Sequence, residues 1–204
     1  MIRVHRSSLP VAIIRRAALI ALLCTPAGAF AQTAEFKPPP VGTRLSWTIN
    51  NEPVTGRIAG ASERLVLWET ANERRPFYGG WLRLFTEFSQ RINTRRLEAL
   101  WPLQAGKSVT TDVTYRDSSG EYMTQMTVKV EGYEPVSVPA GQFDAFVIGV
   151  SERTIGYLYS PFAREWRIWY VPSLGFMARM DFVVTSGQRM GFRSDWRLVE
   201  IAAP

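Results

Sequence analysis

Side chains that act as nucleophiles, bases or soft metal ligands are scarce in this chain. It contains one histidine, His5, and one cysteine, Cys24, and both lie near the N-terminus. Because that region also has the features of a cleavable export signal, we expect both residues to be removed. Ser-His-Asp or Cys-His catalysis and His or Cys ligation of zinc, haem or iron–sulfur clusters are then excluded. These observations predict that the protein is not an enzyme of those classes.

Carboxylates are the remaining catalytic and metal-binding option. Glycoside hydrolysis needs only two Asp or Glu side chains across a sugar site, and calcium needs only oxygen ligands. Three groups of neighbouring carboxylates occur, and all fit surface charges at strand ends and turns: Glu69 with Glu73, Glu131 with Glu134, and Asp112 with Asp117 and Glu121. The sequence has no glycine-rich phosphate loop. We therefore predict no catalytic residue, metal or cofactor, and keep a carboxylate-dependent hydrolase as the third functional hypothesis.

Arginine is the charged residue that favours a binding role. After residue 31 the chain has 17 arginines and three lysines, and guanidinium groups bind phosphate and carboxylate better than amines do. A phosphate-bearing lipid or an acidic glycan would suit such a surface. Genome composition is the favoured alternative explanation, with Arg74-Arg75 and Arg95-Arg96 expected in loops.

The most aromatic part of the chain includes residues 165–170, EWRIWY. In a strand, alternate residues share a face. One face, which we predict to be core, carries Trp166, Ile168 and Tyr170. The other face carries Arg167 and Trp169, which we predict to be ligand-binding residues that line a groove or form a cation–π pair. Coverage of a second buried face is the favoured alternative.

The N-terminus has the parts of a secretory signal peptide. Residues 1–16 carry four arginines and no acidic residue, and the apolar run Ala17 to Leu23 follows. That run is shorter than the roughly 20 residues needed to cross a bilayer. Ala29-Phe30-Ala31 supplies small residues for a peptidase, so we predict a signal peptide over 1–31, with cleavage after Ala29 as the second choice. The product is expected to be soluble, periplasmic or secreted, with no transmembrane anchor.

Two other export routes fit the N-terminus less well. Lipid attachment at Cys24 normally requires a small preceding residue, and Leu23 stands there. Twin-arginine export through Arg15-Arg16 would place Ser or Thr where Ile14 lies.

Cleavage after residue 31 leaves about 170 residues, a single-domain size. It also leaves 20 basic and 18 acidic residues, so the high whole-chain pI gives no evidence for nucleic-acid binding.

Alternating polar and apolar residues predict an all-β fold in the remaining chain. Residues 32–40 contain three consecutive prolines and read as an extended lead-in. A single β domain over 41–204 follows, in which Leu45, Trp47 and Ile49 alternate with polar residues. Seven further runs alternate in the same way: 64–70, 108–115, 122–130, 143–150, 165–171, 176–184 and 190–201. Short turns between them favour an antiparallel meander that forms a strongly curved sheet, a partial barrel or a sandwich.

Residues 81–100 are ambiguous. Trp81, Phe85, Phe88 and Ile92 fit one face of a helix, whereas Leu82, Leu84 and Phe88 partly fit a strand. We favour a strand followed by a loop. Gly79-Gly80 and Pro102 bound the segment under either interpretation.

Three turn motifs carry a family resemblance: PLQAGK at 102–107, VPAGQF at 138–143 and WYVPSLG at 169–175. With them the chain resembles a broad group of uncharacterised exported bacterial β-proteins, known as domains of unknown function. The resemblance implies a periplasmic or secreted location and a curved antiparallel sheet, and it carries no catalytic residues. Its prolines and glycines serve the backbone.

Two functional hypotheses remain ahead of the hydrolase. The first is a non-catalytic protein that binds a lipid or glycolipid on the concave side of the sheet, with Arg167 or another arginine against an anionic head group. The second is a structural or partner-binding envelope protein that recruits another protein at an exposed strand edge. Aromatic residues on both faces of the 165–171 strand favour the first hypothesis, because surplus apolar surface needs a cover.

Overall fold

The computed structural model of the protein describes residues 32–84, 90–117, 120–155 and 161–204. The predicted signal peptide, with His5 and Cys24, lies outside the described residues. Residues Ala31–Pro204 cluster into one compact unit. The predicted single all-β domain is confirmed, since the described residues hold one short helix and many antiparallel strands. Within these ranges, no helix has the length and apolar character needed to cross a membrane.

Fourteen strands, one helix and one 3-10 turn form the described part of the chain. The strands are β1 Thr33–Ala34, β2 Arg44–Ile49, β3 Glu52–Ser62, β4 Leu65–Thr70, β5 Arg74–Tyr78, β6 Leu82–Arg83, β7 Arg91–Ile92, β8 Leu103–Gln104, β9 Ser108–Asp117, β10 Gly120–Val138, β11 Gly141–Thr154, β12 Ala163–Val171, β13 Phe176–Ser186 and β14 Arg193–Ala202. The helix α1 is Thr94–Leu97, and the 3-10 turn is Glu98–Leu100.

Twelve strands form one antiparallel sheet in the order β6-β5-β4-β3-β2-β14-β13-β12-β11-β10-β9-β7. At roughly 4.8 Å between strands, a flat sheet of this size would be about 53 Å wide. The edge strands β6 and β7 are joined by the chain between Arg83 and Arg91, which reaches at most about 28 Å. The sheet must therefore curve strongly, as predicted. Among the described residues β6 and β7 do not pair, so the sheet is open and not a closed barrel.

Most of the core lies on one face of the curved sheet and is rich in aromatic rings, although Val147 and Trp169 are buried on the other face. Trp47 lies 6.0 Å from Trp196 between ring centroids, and Phe77 lies 4.9 Å from Phe176. All four side chains are at most 3 % exposed. The lead-in joins this core, since Phe36 is buried and its ring lies 5.6 Å from that of Trp101. Large apolar surfaces thus supply the stabilisation that disulfides would otherwise give.

The structure corrects the expectation that two arginine pairs lie in loops. Arg74 and Arg75 belong to strand β5, and Arg95-Arg96 belong to helix α1. In β5, the charged side chains of Arg74 and Arg75 and the following Pro76 obscure the strand pattern. Arg75 is nevertheless accommodated because its guanidinium lies over the rings of Trp68 and Trp196, at 5.4 and 5.1 Å from their centroids.

The ambiguous segment 81–100 contains strands and a helix in succession. It holds β6, then β7, then α1 and the 3-10 turn, while residues 85–89 lie outside the described ranges. The helical turn was not predicted. Leu97 and Leu100 are three residues apart and fully buried. A helical turn places both side chains on one face, where they pack into the core.

Candidate functional site

A cavity of about 950 Å³ lies at the end of the sheet where β12 begins and β13 ends. Both halves of the curved sheet contribute to its lining, from Arg75 on β5 to Tyr115 on β9. Its volume falls within the range of roughly 300–1,000 Å³ that small-molecule sites occupy. The curvature of the sheet therefore encloses a space on the same face as the core, with Trp196 belonging to both.

Alternate residues of β12, β13 and β14 form an apolar wall of this cavity. They are Trp166, Ile168, Met180, Phe182, Val184 and Trp196, joined by Tyr122, Phe162 and Phe192. The rings contact one another, since Trp166 lies 5.1 Å from Phe182, and Phe182 lies 6.1 Å from Phe192. The period of two in these strands thus directs an aromatic surface into the cavity.

A buried polar network supports the adjoining part of the wall, on β9 to β12. Glu152 on β11 and Arg164 on β12 are direct cross-strand partners, and Arg164 Nε donates to Glu152 Oε2 at 2.8 Å. Tyr115 OH donates to Glu152 Oε1 at 2.8 Å, and Thr124 Oγ1 donates to the same oxygen. Arg164 Nη2 and Gln90 Nε2 donate to Tyr115 OH at 2.6 and 3.0 Å. Because Glu152 is only 3 % exposed, water cannot solvate its carboxylate. The hydrogen bonds and the ion pair of this network compensate the charge instead.

Burial shifts the acid–base behaviour of two members of this network. Burial, and then the nearby Glu152 charge, raise the pKa of Tyr115 above its ordinary value. Burial is the largest single effect and lowers the pKa of Arg164, but the charge of Glu152, the interaction with Tyr115 and the hydrogen bond to Glu152 together outweigh it, so the pKa of Arg164 is raised. Tyr115 therefore stays a neutral donor and Arg164 stays a cation at neutral pH.

Positive charge prevails in the described lining of the cavity. Its cations are Arg75, Arg83, Arg164 and Arg189, and its one described carboxylate is Glu121. Glu121 Oε2 accepts from Arg91 and Arg116 at 2.9 and 3.0 Å. Behind the wall, Glu73 pairs with Arg75 and lies 3.8 Å from Arg83. An anionic group would consequently be favoured in this space over a cationic one.

Of the carboxylates considered from the sequence, Glu121 lines the cavity, whereas the pairs Glu69–Glu73 and Glu131–Glu134 do not. Glu69 accepts from Arg57 at 2.8 Å and from Arg74 at 2.6 Å. These hydrogen bonds, that of Arg74 first, lower the pKa of Glu69. Glu131 and Glu134 contact the outer face of β12 instead. Among the described residues no group of three or more His, Cys, Asp or Glu side chains is arranged to hold a metal ion.

The sequence-predicted ligand residues lie on the outer face of β12, away from the cavity. The Arg167 guanidinium lies 5.2 Å from the Trp169 ring centroid, and its Nε lies 3.2 Å from Glu131 Oε2. Trp169 is 5 % exposed and donates from Nε1 to Glu134 Oε1 at 3.0 Å. Arg179 covers the same ring at 4.2 Å. Ligand binding by Arg167 and Trp169 stays a prediction.

The sequence pattern assigns Trp166 and Ile168 to the core and does not reveal that their face continues as a cavity wall. The period of two places Arg164 on the same face as Trp166 and Ile168, and this was the one sequence signal that could have identified Arg164 as a site residue. Tyr115 and Glu152 had none, because only the register of the sheet brings them to Arg164, from 49 and 12 residues away in the sequence.

The comparison with YmcC, a solved structure, supports the fold. The hypothetical lipoprotein YmcC from Escherichia coli has 10 % identity and a TM-score of 0.51, with 81 % of this chain and 86 % of that chain covered. A Bacteroides fragilis protein described as exported and YmcC-like in fold has 12 % identity and a TM-score of 0.47, covering 83 % and 100 % of the two chains. A Parabacteroides distasonis protein described as a lipoprotein has 11 % identity and a TM-score of 0.44, covering 84 % and 100 % of the two chains.

No curated protein matches the sequence. A family profile described as "Protein of unknown function (DUF3108)" matches residues 94–192. This range contains the three turn motifs, and the predicted resemblance to a domain of unknown function is confirmed. Residues 94–192 of this chain are therefore similar to the DUF3108 domain of unknown function.

Proposed function

We propose that the protein is a non-catalytic envelope protein that binds an anionic amphiphile, a lipid or a glycolipid, in the cavity of its curved sheet. One observation carries this proposal: the same cavity has a continuous aromatic wall and an excess of arginine in its described lining. An acyl chain would lie against Trp166 and Phe182, and each methylene that leaves water contributes about 0.8 kcal/mol. The head group would lie among the arginines.

The edges of the sheet favour this proposal over partner binding by strand addition. The edge strands β6 and β7 have two residues each, so strand addition would have to use the edge of β9 beyond Val113 and Thr114, the residues that β7 pairs. Next to β7, Arg96 of α1 donates to the backbone oxygen of Thr110 on β9 at 3.2 Å. In the described part of the chain, the cavity is thus the better-formed binding feature.

The direct test is extraction of the protein purified from its native envelope. We expect organic solvent to release a lipid in stoichiometric amount, identified by mass spectrometry. Protein that carries no lipid, and that does not bind a fluorescent fatty acid or lysophosphatidylglycerol when these are added, would contradict the proposal.

A matched pair of variants locates the binding site. Ser194 lines the cavity, so Ser194→Trp would fill part of it and should weaken fatty-acid binding by tenfold or more. Ser151 is exposed on β11 outside the cavity, and Ser151→Trp should bind as the wild type does. Equal affinities of the two variants, with both folded by circular dichroism, would place any ligand elsewhere.

A further inference from the structure

The hairpin between β13 and β14 presents apolar side chains to solvent. Met190 is 72 % exposed, the most of any large hydrophobic residue described, and Phe192 is 48 % exposed. Single exposed apolar residues are ordinary, but two at one hairpin tip call for a physical reason. Phe192 and Arg189 also line the cavity, so the tip adjoins the candidate binding site.

Backbone hydrogen bonds hold the hairpin tip in this arrangement. Met190 N donates to Gly187 O at 3.0 Å, and Phe192 N donates to Arg189 O at 2.9 Å. Gly191 N and Val184 N complete the turn through bonds of 2.9 Å to Val184 O and Phe192 O. The apolar side chains are therefore presented by a formed turn and are not the result of a frayed end.

The charge of the hairpin is one-sided. Residues 185–194, TSGQRMGFRS, contain Arg189 and Arg193 and no acidic residue. Both arginines are exposed, and neither forms an ion pair with another described residue. In the adjacent strand, Asp195 lies 3.8 Å from Arg197, whose nearer partner is Asp181 at 2.7 Å. The tip thus combines apolar and cationic groups, which is the chemistry that binds anionic lipid surfaces.

We infer that this hairpin docks on the surface of an anionic lipid bilayer. Met190 and Phe192 enter the headgroup region, while Arg189 and Arg193 approach lipid phosphates. Each cation near such a surface strengthens binding about fivefold, and two short apolar side chains add a modest amount, so the contact is weak and reversible. Docking in this way brings the part of the cavity that Arg189 and Phe192 line to the membrane. The inference does not require that the cavity be occupied.

The test is co-sedimentation of the exported protein, with its N-terminus verified by mass, with vesicles of phosphatidylglycerol and phosphatidylethanolamine. Vesicles of phosphatidylcholine alone are the comparison. We expect binding to the anionic vesicles that falls steeply with added salt, and little binding to phosphatidylcholine. Equal binding to both kinds of vesicle, or no binding to either, would overturn the inference.

Variants assign the contact to the hairpin. The double variant Arg189→Gln/Arg193→Gln should reduce vesicle affinity about 25-fold, because each arginine contributes about fivefold. Met190→Ser alone, at a site that packs little, should reduce it severalfold. The controls Arg57→Gln and Val41→Ser remove an exposed cation and an exposed apolar residue elsewhere, and should bind as the wild type does. Hairpin variants that bind normally would refute the assignment.

Two further outcomes distinguish membrane docking from dimer formation and from lipid binding in the cavity. If Met190→Ser dissociates a dimer in gel filtration and leaves vesicle binding unchanged, the tip is a contact between copies of the chain and the inference is wrong. If purified protein carries no lipid but its hairpin binds vesicles, the proposed cavity function fails while this inference holds.

Discussion

Arg164 and Glu152 form an ion pair that joins β12 to β11 at the cavity wall, with Arg164 Nε 2.8 Å from Glu152 Oε2. The side chain of Glu152 is 1 % exposed and that of Arg164 is 18 % exposed. Because ionised groups lose hydration when they are buried, such a pair contributes little net stability compared with apolar packing, but breaking it is costly. It fixes Arg164 against Tyr115 and thereby sets the shape and charge of the cavity.

Loss of Arg164 should strongly destabilise the fold. Arg164→Met leaves the Glu152 carboxylate buried with no cation, and we expect the free energy of unfolding to fall by about 3–5 kcal/mol. The matched control is Arg57→Met, because Arg57 is 63 % exposed and pairs with Glu69 at the surface. Arg57→Met should lower the free energy of unfolding by only about 0–1 kcal/mol. Urea denaturation measures both.

A double variant tests the cause of this destabilisation. Glu152→Gln removes the buried charge, so in the Arg164→Met background it should restore part of the lost stability. If the double variant is as unstable as Arg164→Met, lost packing of the arginine side chain is the cause, and the uncompensated charge is not.

Two tyrosine hydroxyls should respond oppositely to removal. Tyr170 OH is buried and has no hydrogen-bond partner among the described residues, so Tyr170→Phe should stabilise the protein by about 1 kcal/mol. Tyr115 OH bonds Glu152, Arg164 and Gln90, so Tyr115→Phe should cost about 1–3 kcal/mol. Urea midpoints at neutral pH compare them, and a destabilising Tyr170→Phe would indicate that its hydroxyl has a partner.

Alkaline pH should unfold the protein through its buried tyrosines. Burial, the largest cause in each case, raises the pKa of Tyr78, Tyr115 and Tyr170. Their phenols hold protons more tightly in the native state than in the unfolded chain, where the pKa is about 10. The resulting stabilisation is complete below about pH 10 and is lost as pH rises beyond it. Urea midpoints that do not fall above this pH would contradict the prediction, and Tyr170→Phe should reduce the fall.

Many of the predicted strands share one physical property, a side-chain period of two set by one buried face, although parts of β11 and β12 are buried on both faces. Leu45 and Trp47 of β2 are 3 % and 1 % exposed, and the intervening Ser46 is less buried. Strand β3 was missed because Pro53, Gly56 and Gly60 interrupt this pattern, and these residues weaken strand signals. It forms because β2 and β4 hold it on both sides.

The candidate site was less predictable than the fold. The sequence indicates that Arg164 and Trp166 share a face, but it cannot indicate which strands lie opposite. Strand register pairs Glu152 with Arg164, and sheet curvature brings Arg75 of β5 to the same cavity. Both depend on contacts between distant parts of the chain, which local patterns do not encode.

The turn at residues 172–175 provides the last prediction, since it anchors the proline-rich lead-in. Gly175 has a φ of +63°, and a Cβ there would overlap the backbone oxygen of Lys37. Gly175→Ala therefore combines the cost of a left-handed conformation, about 1–2 kcal/mol, with displacement of the lead-in. Gly106 is the control, because its φ is +91° and its Cβ would meet nothing within 4 Å. Urea denaturation should show Gly175→Ala to be at least about 2 kcal/mol less stable than Gly106→Ala. Equal losses would mean that the lead-in moves away at no cost.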